Sequence, residues 1–400
     1  MKILFLASTF RKQNASWHLM KMLMEAVLDR GHKIHAIQRT YKNNDLPAFP
    51  ESIINHKNFT YAEVLRGTVD KNKFISRYLD GMMYSWDLRK YIKKNNDYDA
   101  IFLQPSFNAV FILTLARHYA KKRPIIYNVQ DIFPENIKFS GQLPFSKLTY
   151  PVFRFLQKKA YKKADKIITI SEDMKDTLVK SGVKEEKIEV IYNWSYSDEK
   201  ITLENISPEN VFDLNTDKDK LNVVYAGNIG KMQNVEIIVE AAKLSVNDAI
   251  HYYIIGGGAN RNRISNLVNG MSNVTLLPMQ PSNFAESIYA QADVNLIPLA
   301  KGGIKTALPS KTATVLRTDS FAVFCIDKDS KFENTVKISD NVRVAYNDDA
   351  NSLYQVVKEL VSRKLNKTDD NDKLMELFSV RNAYKYVDVF EKAVGVMKAE

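Results

Sequence analysis

Leu221-Asn-Val-Val-Tyr-Ala-Gly-Asn-Ile-Gly230 is the stretch that decides the fold. A short apolar run closed by glycine reads as a strand buried on both faces, running into a turn. Val235, Ile238, Val239 and Ala242 follow at helical spacing, which predicts a helix over 234–244. The same order stands at the start of the chain. Residues 2–7 read as a buried strand, and Leu19, Met20, Leu23 and Val27 share one face of a helix over 16–30 that Gly31 ends. A pattern begun at residue 2 therefore restarts at residue 221. Further strands are expected at 33–38, 100–104, 125–129, 166–170 and 188–192, with helices near 83–94, 107–121, 147–163 and 173–181. The second half adds strands at 251–255, 274–277, 293–298 and 321–326, with helices over 283–291 and 309–317. Strand–helix alternation of this kind means a parallel, doubly wound α/β sheet. The polar segment 195–220, with Pro208 and short acidic clusters, reads as a connection. The expectation is two Rossmann-like domains, 1–195 and 196–379, facing across a cleft. An amphipathic helix over about 380–400, with Tyr384, Val387, Phe390 and Val394 on it, is expected to cross back to the first domain.

Length and composition narrow the class. Four hundred residues are too many for one ordinary domain, and 45% hydrophobic with 26% charged residues is a globular balance. The single cysteine, Cys325, excludes an internal disulfide and a cysteine-based metal cluster. It lies in the apolar stretch 321–326 and reads as a core thiol in a reducing cytoplasm. No secretory signal is expected at the N terminus. The longest apolar runs, such as 107–116, are about ten residues, half of the about 20 that a spanning helix needs. The charge is unevenly spread. Residues 1–200 hold 34 Lys+Arg against 21 Asp+Glu, or +13, and residues 201–400 hold 23 against 25, or −2. The basic half suits membrane phospholipid, a polyanionic acceptor or nucleic acid, and it equally suits a solvated surface with no partner.

Four segments carry residues suited to chemistry. Ala226-Gly-Asn-Ile-Gly230 joins a strand to a helix, where glycine lets backbone N–H groups approach a phosphate. A tight turn without a ligand explains the G-x-x-G spacing equally well. Gly256-Gly-Gly258 ends the strand 251–255, with Arg261 and Arg263 just after it; its rival reading is a flexible loop. Pro298-Leu-Ala-Lys-Gly-Gly-Ile-Lys-Thr-Ala-Leu-Pro-Ser-Lys311 leads a strand into the helix expected over 309–317, and Pro309 suits its first turn. A cation there opposes the helix dipole, so a phosphate ligand would give Lys311 its reason. In the first domain, Val129-Gln-Asp-Ile-Phe-Pro-Glu135 puts Asp131 and Glu135 at a strand end. Asp131 can orient or deprotonate a hydroxyl, or it can serve as a turn or capping residue ahead of Pro134. The histidines are scattered without H-E-x-x-H spacing. Asp217/Asp219 and Asp327/Asp329 read as solvated loop acids, and Asp348-Asp349 as a helix start. No metal is expected, and no Ser-His-Asp arrangement or G-x-S-x-G elbow is present.

Taken in order, these segments resemble the retaining glycosyltransferases of family 4, which have the GT-B fold. Ala164-Asp-Lys-Ile-Ile-Thr-Ile-Ser-Glu172, Gly182-Val, Lys187-Ile and Ile191-Tyr-Asn193 look like the family's last N-terminal strand and hinge. Gly227-Asn-Ile-Gly230 with Gln233 resembles its first donor loop. Ile254-Ile-Gly-Gly-Gly258, Asn273-Val274, Ala292-Asp-Val-Asn-Leu-Ile-Pro298 and Pro309-Ser-Lys311 complete the series. Asp131-Ile-Phe-Pro-Glu135 is similar to the subgroup that includes the bacterial fucosamine transferase of surface-polysaccharide assembly.

The resemblance implies a nucleotide-sugar donor on the second domain and a lipid-linked or saccharide acceptor on the first. It implies no metal, no cofactor beyond the donor substrate, and no nucleic acid. By position, Gly227, Asn228, Gly230 and Gln233 would line the diphosphate, with Lys311 as its main cation beside Pro309 and Ser310. Gly256, Gly257, Gly258 and Arg261 would border the nucleotide. Asp131, with Glu135 near it, would face the acceptor or the transferred sugar. The chain departs from the pattern at known places. Asn228 and Gln233 stand where most of the family has Arg and Lys. Thr306 and Thr314 stand where it has a pair of glutamates, the second of which binds the ribose. Asp319-Ser-Phe321 replaces its Gly-x-Pro. Two readings follow: a cytoplasmic transferase of capsule or exopolysaccharide assembly, peripheral at the inner face of the cell membrane, or a non-catalytic partner of another transferase. A nucleotide-sugar epimerase of the same fold lacks a recognisable constellation here.

One helix bears on the membrane. Residues 145–166 interleave Phe145, Leu148, Val152, Phe153, Phe155 and Leu156 with Lys158, Lys159, Lys162 and Lys163. Phe153, Leu156 and Ala160 fall on one stripe. A basic amphipathic helix can lie on an anionic lipid surface at about 1 kcal/mol per nearby Lys or Arg. The same stripe can instead pack the helix onto its own sheet.

Overall fold

In the computed structural model, Lys2–Leu6 (β1) is a strand whose last four residues are fully buried, as its unbroken apolar run requires. The structure describes residues 1–7, 17–41, 49–67, 74–94, 97–104, 109–136, 146–363 and 372–399. Ser16, Phe107, Asn108 and Phe145, which the expected helices included, lie outside these residues.

The chain folds as two units: Met1–Asn193 with Val380–Glu400, and Trp194–Ser379. In the first, β1 is joined by Lys33–Tyr41 (β2), Phe59–Arg66 (β3), Ala100–Leu103 (β4), Ile125–Val129 (β5), Lys166–Thr169 (β6) and Ile188–Val190 (β7). The sheet order is β3-β2-β1-β4-β5-β6-β7, with all neighbours parallel. The helix Asn382–Ala399 belongs to this unit. Its Phe390 ring lies 5.3 Å from Phe102 and 6.3 Å from Phe5, and its Tyr386 hydroxyl donates to Asn128 Oδ1 at 3.2 Å. Glu391 accepts from Arg30 at 2.9 Å, fastening the helix to the end of Trp17–Asp29.

The second unit is built the same way. Leu221–Asn228 (β8), Ile250–Gly257 (β9), Val274–Leu277 (β10), Val294–Pro298 (β11), Phe321–Ile326 (β12) and Val342–Tyr346 (β13) form a parallel sheet in the order β10-β9-β8-β11-β12-β13. Its core packs Val223, Tyr225, Ile254, Leu296, Val323 and Cys325 against the helices Glu236–Leu244 and Ala350–Arg363. Cys325 is fully buried, and burial pushes its thiol up to about 12. The strand order reverses between β8 and β11. In open α/β sheets that reversal opens a crevice at the carboxyl ends of the strands. The loops after β8 and β11 therefore become neighbours.

Several elements differ from expectation, each for a local reason. β3 and β13 are edge strands with mixed burial, so they lack the unbroken apolar run that marks a central strand. The helix expected over 83–94 begins at Phe74, and Arg261–Val268 and Ala350–Arg363 are helices the apolar spacing did not single out. The helix expected over 309–317 shrinks to Thr312–Val315, four residues rich in β-branched side chains. Asp349 caps Ala350–Arg363, accepting from Asn351 N at 2.9 Å and Ser352 N at 3.1 Å. Asp327 is not a solvated loop acid: it is 6% exposed and accepts from Gly302 N at 2.8 and 2.9 Å.

Candidate functional site

The glycine loops after β8 and β9 are built into one another. Ile229 N donates to Gly257 O at 2.7 Å, and Asn260 N donates to Ile229 O at 2.9 Å. Two of the glycines are demanded by this approach. A Cβ on Gly256 would stand 2.0 Å from Gly227 O, and one on Gly258, at φ +139, would stand 2.5 Å from Asn228 Oδ1. The second loop thus needs glycine to meet the first, whatever ligand binds. Arg261 is tied into the same junction, its Nε donating to Gly256 O at 3.0 Å. The amide of Asn228 donates to Gln233 Oε1 at 3.0 Å beside the backbone of Gly230. Polar, uncharged groups therefore close this loop where an Arg and a Lys are usual in the resembling family.

Lys311 reaches the same place from the loop after β11. Its ammonium donates to Ala226 O at 3.1 Å and to Leu296 O at 3.3 Å, one in β8 and the other in β11. It also lies 3.9 Å above the centre of the Tyr225 ring, where the ring quadrupole attracts a cation. A Cβ on Gly227 would come within 3.8 Å of it. Dehydration lowers the Lys311 pKa to about 7. The helix-dipole argument for this residue is overturned: Lys311 precedes a helix of only four residues. Two strand carbonyls and an aromatic face give it a local reason to be there. They also leave it half-buried, with no carboxylate among its hydrogen-bond partners.

Tyr225 carries this arrangement, and the sequence did not mark it. Its ring is buried and seats Lys311, while its hydroxyl donates to Asn228 O at 2.5 Å. The one signal was a phenol two residues before Gly227, in the apolar run that leads into the glycine loop.

The remaining residues are placed as follows. Pro309 is half-buried and Ser310 exposed, both next to Lys311. Thr314 is half-buried, with its Oγ1 3.4 Å from Ser195 Oγ. Thr306 is 5% exposed and donates to Gly303 O at 3.0 Å, so it serves its own turn. Arg317, which no motif marked, is 2% exposed and donates to Asp198 O at 2.7 Å, Asp198 Oδ1 at 2.6 Å and Phe378 O at 3.2 Å. It ties together the first and last segments of the second unit.

In the first unit, Asp131 and Glu135 follow β5. The Asp131 side chain is open to solvent, yet the protein packed around it raises its carboxyl above the usual range, partly offset by a hydrogen bond with Asn136. Glu135 is half-buried and also raised by dehydration. Tyr150 donates to it at 3.3 Å, and Arg154 approaches to 3.9 Å. Both carboxyls can hydrogen-bond sugar hydroxyls. Among the described residues, no group of three or more His, Cys, Asp and Glu side chains could hold a metal ion.

Residues 18–194 match the sequence model of a family described as Glycosyltransferase Family 4. A relative named "Putative colanic acid biosynthesis glycosyl transferase WcaI", of Escherichia coli, is 27% identical over 165 residues, 40% of each chain. The chain thus matches less than half of that relative's length. "Probable glycosyltransferase WbjE" of Pseudomonas aeruginosa is 24% identical over 307 residues, 73% of each chain. Among solved structures, Alr3699/HepE of Anabaena in complex with UDP superimposes with a TM-score of 0.67 at 14% identity, covering 98% of this chain and 100% of that one. The fold is therefore GT-B.

Proposed function

We propose that this chain is a retaining glycosyltransferase that moves a sugar from a nucleotide-sugar to a saccharide acceptor, lipid-linked, in capsule or exopolysaccharide assembly. The observation that carries the reading is the Lys311 ammonium at the junction of the two glycine loops, seated on Ala226 O, Leu296 O and the Tyr225 ring. Support also comes from the family 4 match over residues 18–194 and from two relatives named as glycosyltransferases.

In this reading the bond from the anomeric carbon to the diphosphate oxygen breaks as the acceptor hydroxyl adds on the same face. The departing phosphate oxygen takes the hydroxyl proton. Negative charge grows on the diphosphate, so a preorganised cation there lowers the barrier. Lys311 fills that role, with Gly227 beside it, and no metal takes part. Asp131 and Glu135 hold hydroxyls of the acceptor or the transferred sugar. The enzyme works in the cytoplasm, at the inner face of the cell membrane.

Donor screening tests this directly. Incubation with UDP- and GDP-sugars and a membrane extract should release nucleotide diphosphate from one donor class, and calorimetry should show that nucleotide binding. Absence of binding to every nucleotide would favour the rival reading, a non-catalytic partner of another transferase. Thr314 refines the test. A glutamate at this position would offer a carboxylate to the ribose hydroxyls, and one charge-assisted hydrogen bond is worth about 1.5–3 kcal/mol. Thr314→Glu should therefore tighten nucleotide binding by about tenfold or more. Unchanged or weaker affinity would show that residue 314 does not face the ribose.

A further inference from the structure

The helix Ser146–Lys163 presents two apolar faces. The inner one does what a core stripe does. Ala160 and Tyr161 are buried, and the Phe153 ring packs against Tyr78 at 5.0 Å and Phe133 at 5.4 Å. That accounts for Phe153, Leu156 and Ala160. A second face remains. Leu148, Val152 and Phe155, spaced by four and three residues, are 76%, 56% and 57% exposed. Three large apolar side chains in one exposed row need an explanation that a single exposed leucine does not.

One turn further along, the same helix borders a cavity of about 700 Å³. Lys158, Lys159 and Lys162 line it from the helix, and Lys184 and Lys187 from the loop that follows Ser181. Phe155 belongs to its wall too, with the Lys159 ammonium 4.6 Å from the centre of its ring. The acids of that loop are already engaged: Glu185 by Lys175 at 2.8 Å, and Glu186 by Lys184 at 3.5 Å. Lys187 donates to Ala164 O at 3.0 Å. Lys158 feels the charge of Glu135, and among the described residues no carboxylate lies within 4.0 Å of the Lys158, Lys159 or Lys162 ammonium.

We infer that this face docks on an anionic lipid surface, with the lysine cavity receiving lipid phosphate and Leu148, Val152 and Phe155 entering the acyl boundary. The juxtaposition decides the occupant. An apolar row alone suits any hydrophobic partner, and a lysine cavity alone suits any soluble anion. A row of greasy side chains whose last member forms the rim of a cationic cavity matches a surface that is charged at the headgroups and apolar beneath. The inference deepens the reading of a lipid-linked acceptor, because it brings the first unit to the layer where such an acceptor lies.

Cosedimentation of the full chain with vesicles tests this without a donor, so an inactive protein still gives an answer. Vesicles of phosphatidylcholine with phosphatidylglycerol should bind the protein at least tenfold more than phosphatidylcholine alone, and added salt should reduce the difference. Lys158→Gln, Lys159→Gln and Lys162→Gln together should abolish the preference for anionic lipid. Leu148→Ser with Phe155→Ser should lower binding at least tenfold while leaving its salt dependence in place; both positions are exposed, and unchanged circular dichroism would confirm folding. Millimolar inorganic phosphate should not displace the vesicles. Equal binding to neutral and anionic vesicles, an unaffected lysine variant, or full displacement by phosphate with no effect of the Leu148/Phe155 change would overturn the inference. The last outcome would make the cavity a soluble-anion site.

Discussion

Lys311→Ala lowers turnover of the donor at least tenfold, a barrier increase of about 1.4 kcal/mol, and leaves the protein folded. The expectation rests on the seat of the ammonium: two strand carbonyls and one aromatic face hold it, without a carboxylate among its hydrogen-bond partners. Such a cation is dehydrated and underneutralised until an anion arrives. Its pKa near 7 makes the consequence readable in pH. A diphosphate prefers the protonated lysine, so above pH 7 binding must bring a proton with it. Nucleotide affinity should fall with rising pH from about 7, by up to about tenfold per unit. Calorimetry in buffers of different ionisation enthalpy would register the proton taken up. Affinity that stays flat between pH 6.5 and 8.5 would remove Lys311 from the site. Stability gives an independent check. The folded pKa lies below the unfolded value of 10.5, so the cost of burying the charge is fully present below pH 7 and fades as pH rises toward 10.5. Lys311→Met should therefore raise the melting temperature most at pH 6 and least at pH 10, even as activity is lost.

Gly256→Ala should unfold or severely destabilise the second unit, by about 3 kcal/mol or more. The added methyl would sit 2.0 Å from Gly227 O, a backbone atom of a paired strand that cannot move aside alone. The two loops would have to separate, breaking the Ile229 N to Gly257 O bond at 2.7 Å. Gly257→Ala is the control: its new methyl would meet only Met279 Cβ, at 3.5 Å, an ordinary contact. Chemical denaturation of both variants separates packing from ligand contact. Gly257→Ala should keep its midpoint, and any loss of nucleotide affinity in it then reports the ligand. Equal midpoints for the two variants would mean that the loops do not meet as described.

These two predictions also mark how the site could be read. Gly256, Gly258 and Lys311 stood out in the sequence as a ligand site, because glycine at a strand end and a lysine after proline are local signals. Their partners were invisible. The sequence offered a bound nucleotide as the reason for the two glycines and a phosphate for Lys311, and the structure supplies nearer ones: Gly227 O for Gly256, Asn228 Oδ1 for Gly258, and Ala226 O and Leu296 O for Lys311. Tyr225 was missed for the same cause. In a buried strand a tyrosine looks like any apolar residue until its hydroxyl finds Asn228 O and its ring finds Lys311. The lysine-bearing helix shows the converse. Its inner stripe was legible from helical spacing, but that spacing could not tell which apolar residues would find neighbours. Phe153 did, whereas Leu148, Val152 and Phe155 stay exposed.

The α/β class, the restart of the pattern at Leu221, the central strands and the loops that carry glycine and lysine are all legible in the residues alone. Each of these is encoded over a few residues, in side-chain period, in unbroken apolar runs and in the residues that permit a turn. What those loops meet follows from the folded sheet. Lys311 and Ala226 are 85 residues apart, and they touch because β11 pairs with β8 where the strand order reverses. No local pattern records that pairing, since the order of strands in a parallel sheet is settled by which faces can be buried together.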